Sequence, residues 1–398
     1  MLLNKDRAYK IMEKYGIDAI IATMPENVTY LTDYWSLTHR LIKATQNFAV
    51  ISRKQNLDPF IITSVGDMDL AADQEECWTN NFYTYGTFYV EHPEGVGLNN
   101  TEERYERLLT SAKSKTDPMT ALMECLQEIG LTTGSIAVDE GNISPFAFDT
   151  LKASLPEVKF SEGYQLLREI RLIKTQTEVD RLSRSSYIIE SGIKDALGAI
   201  REGATEFDIW QTLFKTVIQE GALPLWPCVG VGTRGALSNV ISASHPVVKK
   251  GDLIRFDVGC TYRSYNSDCA RTFILGAPDE KQRSYHQAIQ IGLNHALDMV
   301  RPGVRASEIF DAAVSGVREA GLPHYHRHHV GHGIGIEPYE PPFLTASSED
   351  LLEEGMVVNV ETPYYEMGLG GIQLEDTVLV TADGYRPLTT SSHDLIAV

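Results

Sequence analysis

The segment HRHHVGHGIGIEPYEPPF, residues 326–343, places four histidines within seven residues, ahead of a glycine-spaced turn and a tyrosine between prolines. Imidazoles at this density fit a metal site, an active site or a solvated loop. The choice depends on what the rest of the chain can bring beside them. Two other stretches each offer a pair of carboxylates. In GDLIRFDVGCTYRSYNSDCARTFILG, residues 251–276, two strand-like runs surround the polar turn-former TYRSYNS. A hairpin centred between Tyr262 and Arg263 sets Asp257 directly opposite Asp268. In MVVNVETPYYEMGLGGIQLEDTVLV, residues 356–380, Glu361 and Glu375 are equidistant from Gly368, within a turn marked by Gly368, Gly370 and Gly371. Opposed residues of an antiparallel pair share a face, with Cβ atoms roughly 5 Å apart.

Like charges facing each other destabilise a sheet, and buried unpaired carboxylates either neutralise or cost several kcal/mol. A divalent cation is the simplest compensation, and the alternative is that one or both pairs face water. Four carboxylates and one imidazole form an oxygen-rich set, better suited to manganese, iron or cobalt than to a structural, thiolate-bound zinc. The set is also more than one ion needs. Two ions roughly 3.5–4 Å apart, bridged by carboxylates and a hydroxide, use all of it and create a nucleophile at neutral pH.

The elements that must position these groups follow from period and caps. The first part of the chain alternates a helix near Asn4–Tyr15 with strand-like AIIAT, FAVIS and PFIIT, an α/β pattern. Residues 91–118 are charged and turn-rich at both ends and read as a solvated flap with a helix inside. Near Glu162 the character changes. Thr175 and Glu178 form a capping box that opens a long helix with Val179, Leu182, Ile189, Ile193 and Leu197 on one face. A second helix starts at Thr205, buries Ile209, Leu213, Phe214, Val217 and Ile218, and stops at Gly221. Two domains are expected, 1–165 and 166–398.

Composition narrows the partners. The net charge of 35 − 54 = −19 argues against nucleic acid, whose readers concentrate Lys and Arg on one face. No apolar run of signal-peptide or membrane-spanning length is seen, so a cytoplasmic protein without membrane contact is expected. Five cysteines with no CxxC pair suit free thiols in a reducing compartment.

The order Asp257, Asp268, His332, Glu361, Glu375 resembles that of the pita-bread metallohydrolases: prolidase, aminopeptidase P, methionine aminopeptidase and creatinase. The prolidase type, Xaa-Pro dipeptidase, is nearest. VKKGDLIRFDVG, NSDCARTF, GHGIG, VETP and LEDTVLVTADG stand where that family has its motifs, and LREIRLIKTQTEVDRL resembles the helix opening its catalytic domain. The resemblance covers the whole chain. It implies an α/β (α+β) protein with a pita-bread catalytic domain preceded by a smaller, creatinase-type α/β N-terminal domain. It also implies two divalent metal ions, manganese first, with cobalt, iron or zinc as other fits. Carried over, Asp257 binds toward one metal, Asp268 and Glu375 bridge both, and His332 and Glu361 complete the second site. Glu361 is in addition the catalytic proton shuttle between the attacking water and the leaving nitrogen. The resemblance further implies that a metal-bridged hydroxide attacks the scissile amide and that the enzyme is a homodimer.

The surroundings of the ligands depart from the family. Where peptidases place a second histidine seven residues after the metal histidine, this chain has Tyr339, whose phenol donates one hydrogen bond to an oxyanion but carries no positive charge. Asn239 or Val240 takes the place of a further histidine, with His245 as a nearby substitute. Gln373 stands for an arginine and Ala270 for a threonine, while His328 matches a family histidine near the substrate. No place follows for His324, His326 or His329. Retained metal chemistry on an altered substrate shell leaves three readings open. The first is an Xaa-Pro peptidase acting on a small peptide. The second is a creatinase-like hydrolase or lyase of a small non-peptide C–N compound, and the third is a silent binding protein on the same fold.

Overall fold

A computed structural model of the chain describes residues 1–398 apart from 43–44, 54–56 and 243–246. It divides into two compact units, Met1–Arg171 and Leu172–Val398. The division lies a few residues beyond the expected 165 because helix Tyr164–Arg171 is tied to the first unit. Arg171 donates to Asn27 Oδ1, and Arg7 Nε donates to Glu169 O at 3.1 Å.

In the first unit, seven described strands form one sheet. Its order is Lys113–Lys115, Asn81–Tyr85, Phe60–Ser64, Phe48–Ser52, Ala19–Ala22, Gly134–Val138 and Val158–Glu162. AIIA, FAVIS and FIITS are strands in its middle, with Ile21, Val50 and Ile62 in a core shared with Leu122, Leu126 and Leu151. The charged stretch expected as a flap does more than cover. Its helix Asn100–Ser111 is capped by Asn99 and Glu102, and the chain then adds Lys113–Lys115 to the sheet edge.

The second unit is a sheet of ten described strands with helices packed on it. Strand Leu253–Tyr262 pairs with Leu223–Val231 on one side and Cys269–Ile274 on the other. Beyond these, in order, lie Glu375–Val380, Val357–Glu361, Gly331–Gly333 and Glu340–Phe343. Helices Gln176–Leu197 and Glu206–Gln219, each opened by the capping box at Thr175 or Thr205, bury Ile189, Ile193, Leu213 and Phe214 against Ile254, Phe256 and Val258. Helices Glu280–Met299 and Ala306–Glu319 bury Ile289, Leu293, Ile309 and Ala313 against Val358, Val360, Val378 and Val380. Ile218, expected on the buried face, is 60 % exposed. The helices thus claim alternate residues of each strand. The intervening positions, Arg255, Asp257, Asn359, Glu361, Glu375 and Thr377, belong to the opposite face by the two-residue period of a strand.

Candidate metal centre

One cross-strand row carries most of the site. Asp257 pairs with Ala270, Ala270 with Glu375, and Glu375 with Glu361, so three carboxylates from three strands share one level of the sheet. The Glu361–Glu375 pairing is the one expected from their equal distance to Gly368. Asp257 and Asp268 are not directly opposed as expected. The turn falls on Arg263 and Ser264, both with left-handed φ (46° and 69°), and Tyr262 pairs with Tyr265. A two-residue turn of this hand matches the twist of the flanking strands. It moves the register by two, which leaves Asp268 on the same face, diagonal to Asp257.

His332 lies on strand Gly331–Gly333, between Val357–Glu361 and Glu340–Phe343. Its flanking glycines are obligatory: a Cβ on Gly331 would lie 2.0 Å from Asn359 O, and one on Gly333 2.2 Å from Pro341 O. Single ligand atoms of Asp268, His332 and Glu375 lie within 4.8 Å of one another. The His332 Nδ1 contact with Gly333 O, 2.9 Å long, assigns the proton to Nδ1 and turns Nε2 into an acceptor. Nε2 and Asp268 Oδ1 are both buried with no hydrogen-bond partner. Glu375 Oε1 accepts from Asn359 Nδ2 at 3.0 Å, and Thr377 Oγ1 orients that amide at 2.7 Å. Asp257 and Glu361 stand off this trio. Asp257 Oδ2 accepts from Arg255 Nη1 at 2.9 Å, and Glu361 Oε2 accepts from Gln373 Nε2 at 3.3 Å.

Burial and mutual repulsion push the carboxyl groups upward. Desolvation, then Asp257 and Glu361, hold Asp268 well above the ordinary range, and desolvation, then Asp268 and Glu361, do the same to Glu375. Desolvation dominates at Glu361, which reaches about 7, while Arg327 and Arg255 oppose the shift. His332 is pushed down to about 4 by burial and is neutral. A site that strips water from several carboxylates and leaves a neutral imidazole nitrogen and a carboxylate oxygen without partners fits a divalent cation. A testable sign follows. Carboxyls with raised folded-state values bind more protons folded than unfolded, so the metal-free protein loses stability as pH rises from about 5 through 7. Metal binding displaces those protons. The melting temperature of the metal-free protein should fall over that interval, and manganese should raise it more at pH 8 than at pH 6. Equal stabilisation at both values would refute the charge balance drawn here.

Asp257, Asp268, Glu361 and Glu375 line a cavity of about 480 Å³, whose wall also includes Trp226, Asn239, Arg327, His328, His329, Tyr339, Tyr365 and Gln373. Tyr339 stacks on the His332 ring, centroids 3.6 Å apart, with the rings of Trp226 at 6.1 Å and His329 at 6.2 Å. Burial, then Glu361, raises its hydroxyl, so it remains a donor. His328 lines the cavity, and its ring is 4.3 Å from that of His329. Asn239 rather than Val240 faces the cavity; Val240 is 5 % exposed and packed. His245 lies outside the described residues. His324 is elsewhere, with Nε2 2.9 Å from the Tyr364 hydroxyl, and His326 is exposed.

Sequence reasoning missed two participants. His329 Nδ1 lies 3.1 Å from Glu361 Oε1 and also takes the Gly331 N–H at 3.3 Å. Burial pushes this imidazole down to about 3, so the proton between the two groups sits on Glu361. No spacing signal marks His329, because it belongs to an irregular segment. Arg255 was findable: it precedes Asp257 by two in a strand and therefore shares its face.

Known proteins share the family and the fold of this chain. Residues 180–382 match metallopeptidase family M24, and residues 5–173 match the creatinase/prolidase N-terminal domain. The chain is 31 % identical to an Xaa-Pro dipeptidase of Pyrococcus furiosus over 68 % of its own length and 78 % of that protein. Against the Xaa-Pro dipeptidase of Lactobacillus delbrueckii subsp. lactis the identity is 24 %, over 99 % and 98 % of the two chains. Its fold is that of an X-Pro aminopeptidase from Thermotoga maritima, with a TM-score of 0.76 at 22 % identity over 99 % of each chain. The prolidase from Pyrococcus furiosus gives 0.74 at 23 % identity, over 96 % of this chain and 99 % of that one.

Proposed function

Because the chain belongs to metallopeptidase family M24 and is therefore a metal-dependent hydrolase, we propose that it cleaves the bond after the first residue of Xaa-Pro dipeptides or short proline-containing peptides. The observation that carries this reading is the carboxylate row closed by the unpartnered Nε2 of His332. Divalent metal ions belong to the family. In this chain Asp257, Asp268, His332, Glu361 and Glu375 are the residues to hold two of them, and the oxygen-rich set suits manganese, iron or cobalt better than a structural zinc, with manganese taken first. Bound there, they supply Lewis acidity and a water nucleophile at neutral pH.

The chain's own groups supply the rest. Glu361, the carboxylate beside the bound water, accepts a proton from it and returns it to the leaving nitrogen. Tyr339, immobilised on the His332 ring, donates a hydrogen bond to the oxygen on which charge develops, with His328 beside it. Trp226 and Tyr339 give the apolar wall for a proline ring. His329 holds the carboxyl of Glu361 in place.

A homodimer in the cytoplasm completes the proposal; the five cysteines stand free, as a reducing compartment requires, and no described helix is long and apolar enough to cross a membrane. The test is proline release from a panel of Xaa-Pro dipeptides with and without added manganese. Metal-dependent release is the expected result. A protein that binds the metal and frees no proline is not a prolidase-type enzyme.

A further inference from the structure

The face of the second sheet turned away from the metal centre is covered by helices, and a buried polar cluster interrupts its apolar surface. Asp376 follows Glu375 in its strand and, by the two-residue period, points the other way. There it pairs with Arg271, Nη2 to Oδ1 at 2.7 Å, the side chains only 2 % and 6 % exposed. Arg271 reaches back to the metal strands through Nη1, which donates to Ala270 O at 2.8 Å and to Glu375 O at 2.6 Å. Neither Asp376 nor Arg271 lines the cavity.

Residues 388–398 run across this cluster. Leu388 N donates to Thr377 O at 2.8 Å, Thr377 N to Thr389 Oγ1 at 3.0 Å, and Thr389 Oγ1 to Asp376 Oδ1 at 2.9 Å. Ser391 O accepts from Arg271 Nη2 at 3.0 Å, while Glu190 Oε1, on helix Gln176–Leu197, takes the N–H groups of Thr390 and Ser391. Further on, Ile396 and Ala397 pair in parallel with Phe273 and Ile274. The segment is sewn onto the backs of the strands at whose starts Asp268 and Glu375 stand.

Within that seam His393 has a distinct place. Its Nε2 lies 2.6 Å from Asp376 Oδ2, and with a carboxylate as partner the imidazole is the donor. Arg271 and Thr389 occupy Oδ1, so among the described residues His393 alone holds Oδ2 and fixes the rotation of the carboxylate. Glu375 in turn has its side chain oriented by Asn359 and its carbonyl by Arg271, whose other nitrogen is anchored on Asp376 and Ser391. We infer that His393 is a positioning residue for the metal centre, acting through Asp376 and Arg271 to fix Glu375 where its carboxylate binds metal. The inference rests on the metal-centre reading of Glu375 and is independent of the substrate.

The test is a calorimetric titration of the metal-free protein with manganese, well below its melting temperature. The absorption bands of the cobalt-loaded protein give a second readout, of ligand geometry. Loss of a group that orients a ligand costs about 10-fold in metal affinity at the lower end of its range. His393→Ala should show that loss together with altered cobalt bands. His393→Phe, which keeps a ring and lacks the donor, should behave alike, so the outcome does not hang on the folding of one variant. His393→Gln, whose amide nitrogen can stand where the imidazole Nε2 stands, should bind manganese within about twofold of wild type. Ser392→Ala, whose hydroxyl bonds Asp394 instead, should match the wild type. A lowered melting temperature with unchanged manganese affinity and cobalt bands would make His393 a structural residue only and overturn the inference. So would a Gln variant as weak as the Ala variant. A wild type that takes up no manganese overturns the metal-centre reading itself, and the inference with it.

Discussion

Glu361→Gln should lower kcat for dipeptide hydrolysis by about 10²- to 10⁴-fold, the range carried by a positioned general acid–base group. Gln has nearly the shape of Glu, and it cannot take up and return a proton. The neighbours tolerate the change. Glu361 is buried among Asp257, Asp268 and Glu375, whose charges all oppose its ionisation in the metal-free protein. Removing one of these charges relieves repulsion, so the metal-free variant should melt no lower than the wild type. Metal affinity should fall, since one carboxylate oxygen is lost, and the assay must be run at saturating manganese. Proline release, metal content and thermal unfolding measured together separate the proton-transfer role from simple loss of metal. Turnover within about threefold of wild type at full occupancy would remove Glu361 from the chemistry, because even a modest acid–base contribution exceeds that.

Arg255→Met should strongly destabilise the second unit. It removes a cation from under Asp257, orphans the carbonyls of Gly235, Leu237 and Ser238, and releases the Gln373 amide that contacts Glu361. Breaking one partner of a buried ion pair costs about 3–5 kcal/mol, because the other charge is left unpaired. Denaturant unfolding reads that loss. The same change should weaken metal binding by about 10- to 100-fold, the usual effect of removing a group that orients a ligand. Arg255→Lys should recover part of the stability through charge alone while failing to reach all three carbonyls. An Arg255→Met protein as stable as the wild type would show that the 235–238 turn and Asp257 are held by something else. The result also bears on Gln373, which occupies a position where an arginine was expected. Here the guanidinium comes from strand Leu253–Tyr262, and Gln373 accepts from it at 2.7 Å.

What could be read from the sequence was whatever depends on local period and chain symmetry. Equal spacing about Gly368 put Glu361 opposite Glu375, and the capping boxes at Thr175 and Thr205 marked where the two helices start. The order of the five acidic and imidazole residues pointed to metal chemistry and to the family. Tertiary structure decided what local period cannot specify. A two-residue turn at Arg263–Ser264 shifted Asp257 two positions along its partner, and only the twist of the paired strands selects that turn over its neighbours. Ala270 became the link between Asp257 and Glu375 because three separate strands share a level, a fact of sheet order rather than spacing. The irregular segment through Arg327 and His329 has no repeat from which to infer a direction. Those two side chains line the site, and the contact that holds His329 comes from Glu361, distant in the chain, so the placement is a product of tertiary packing rather than local period.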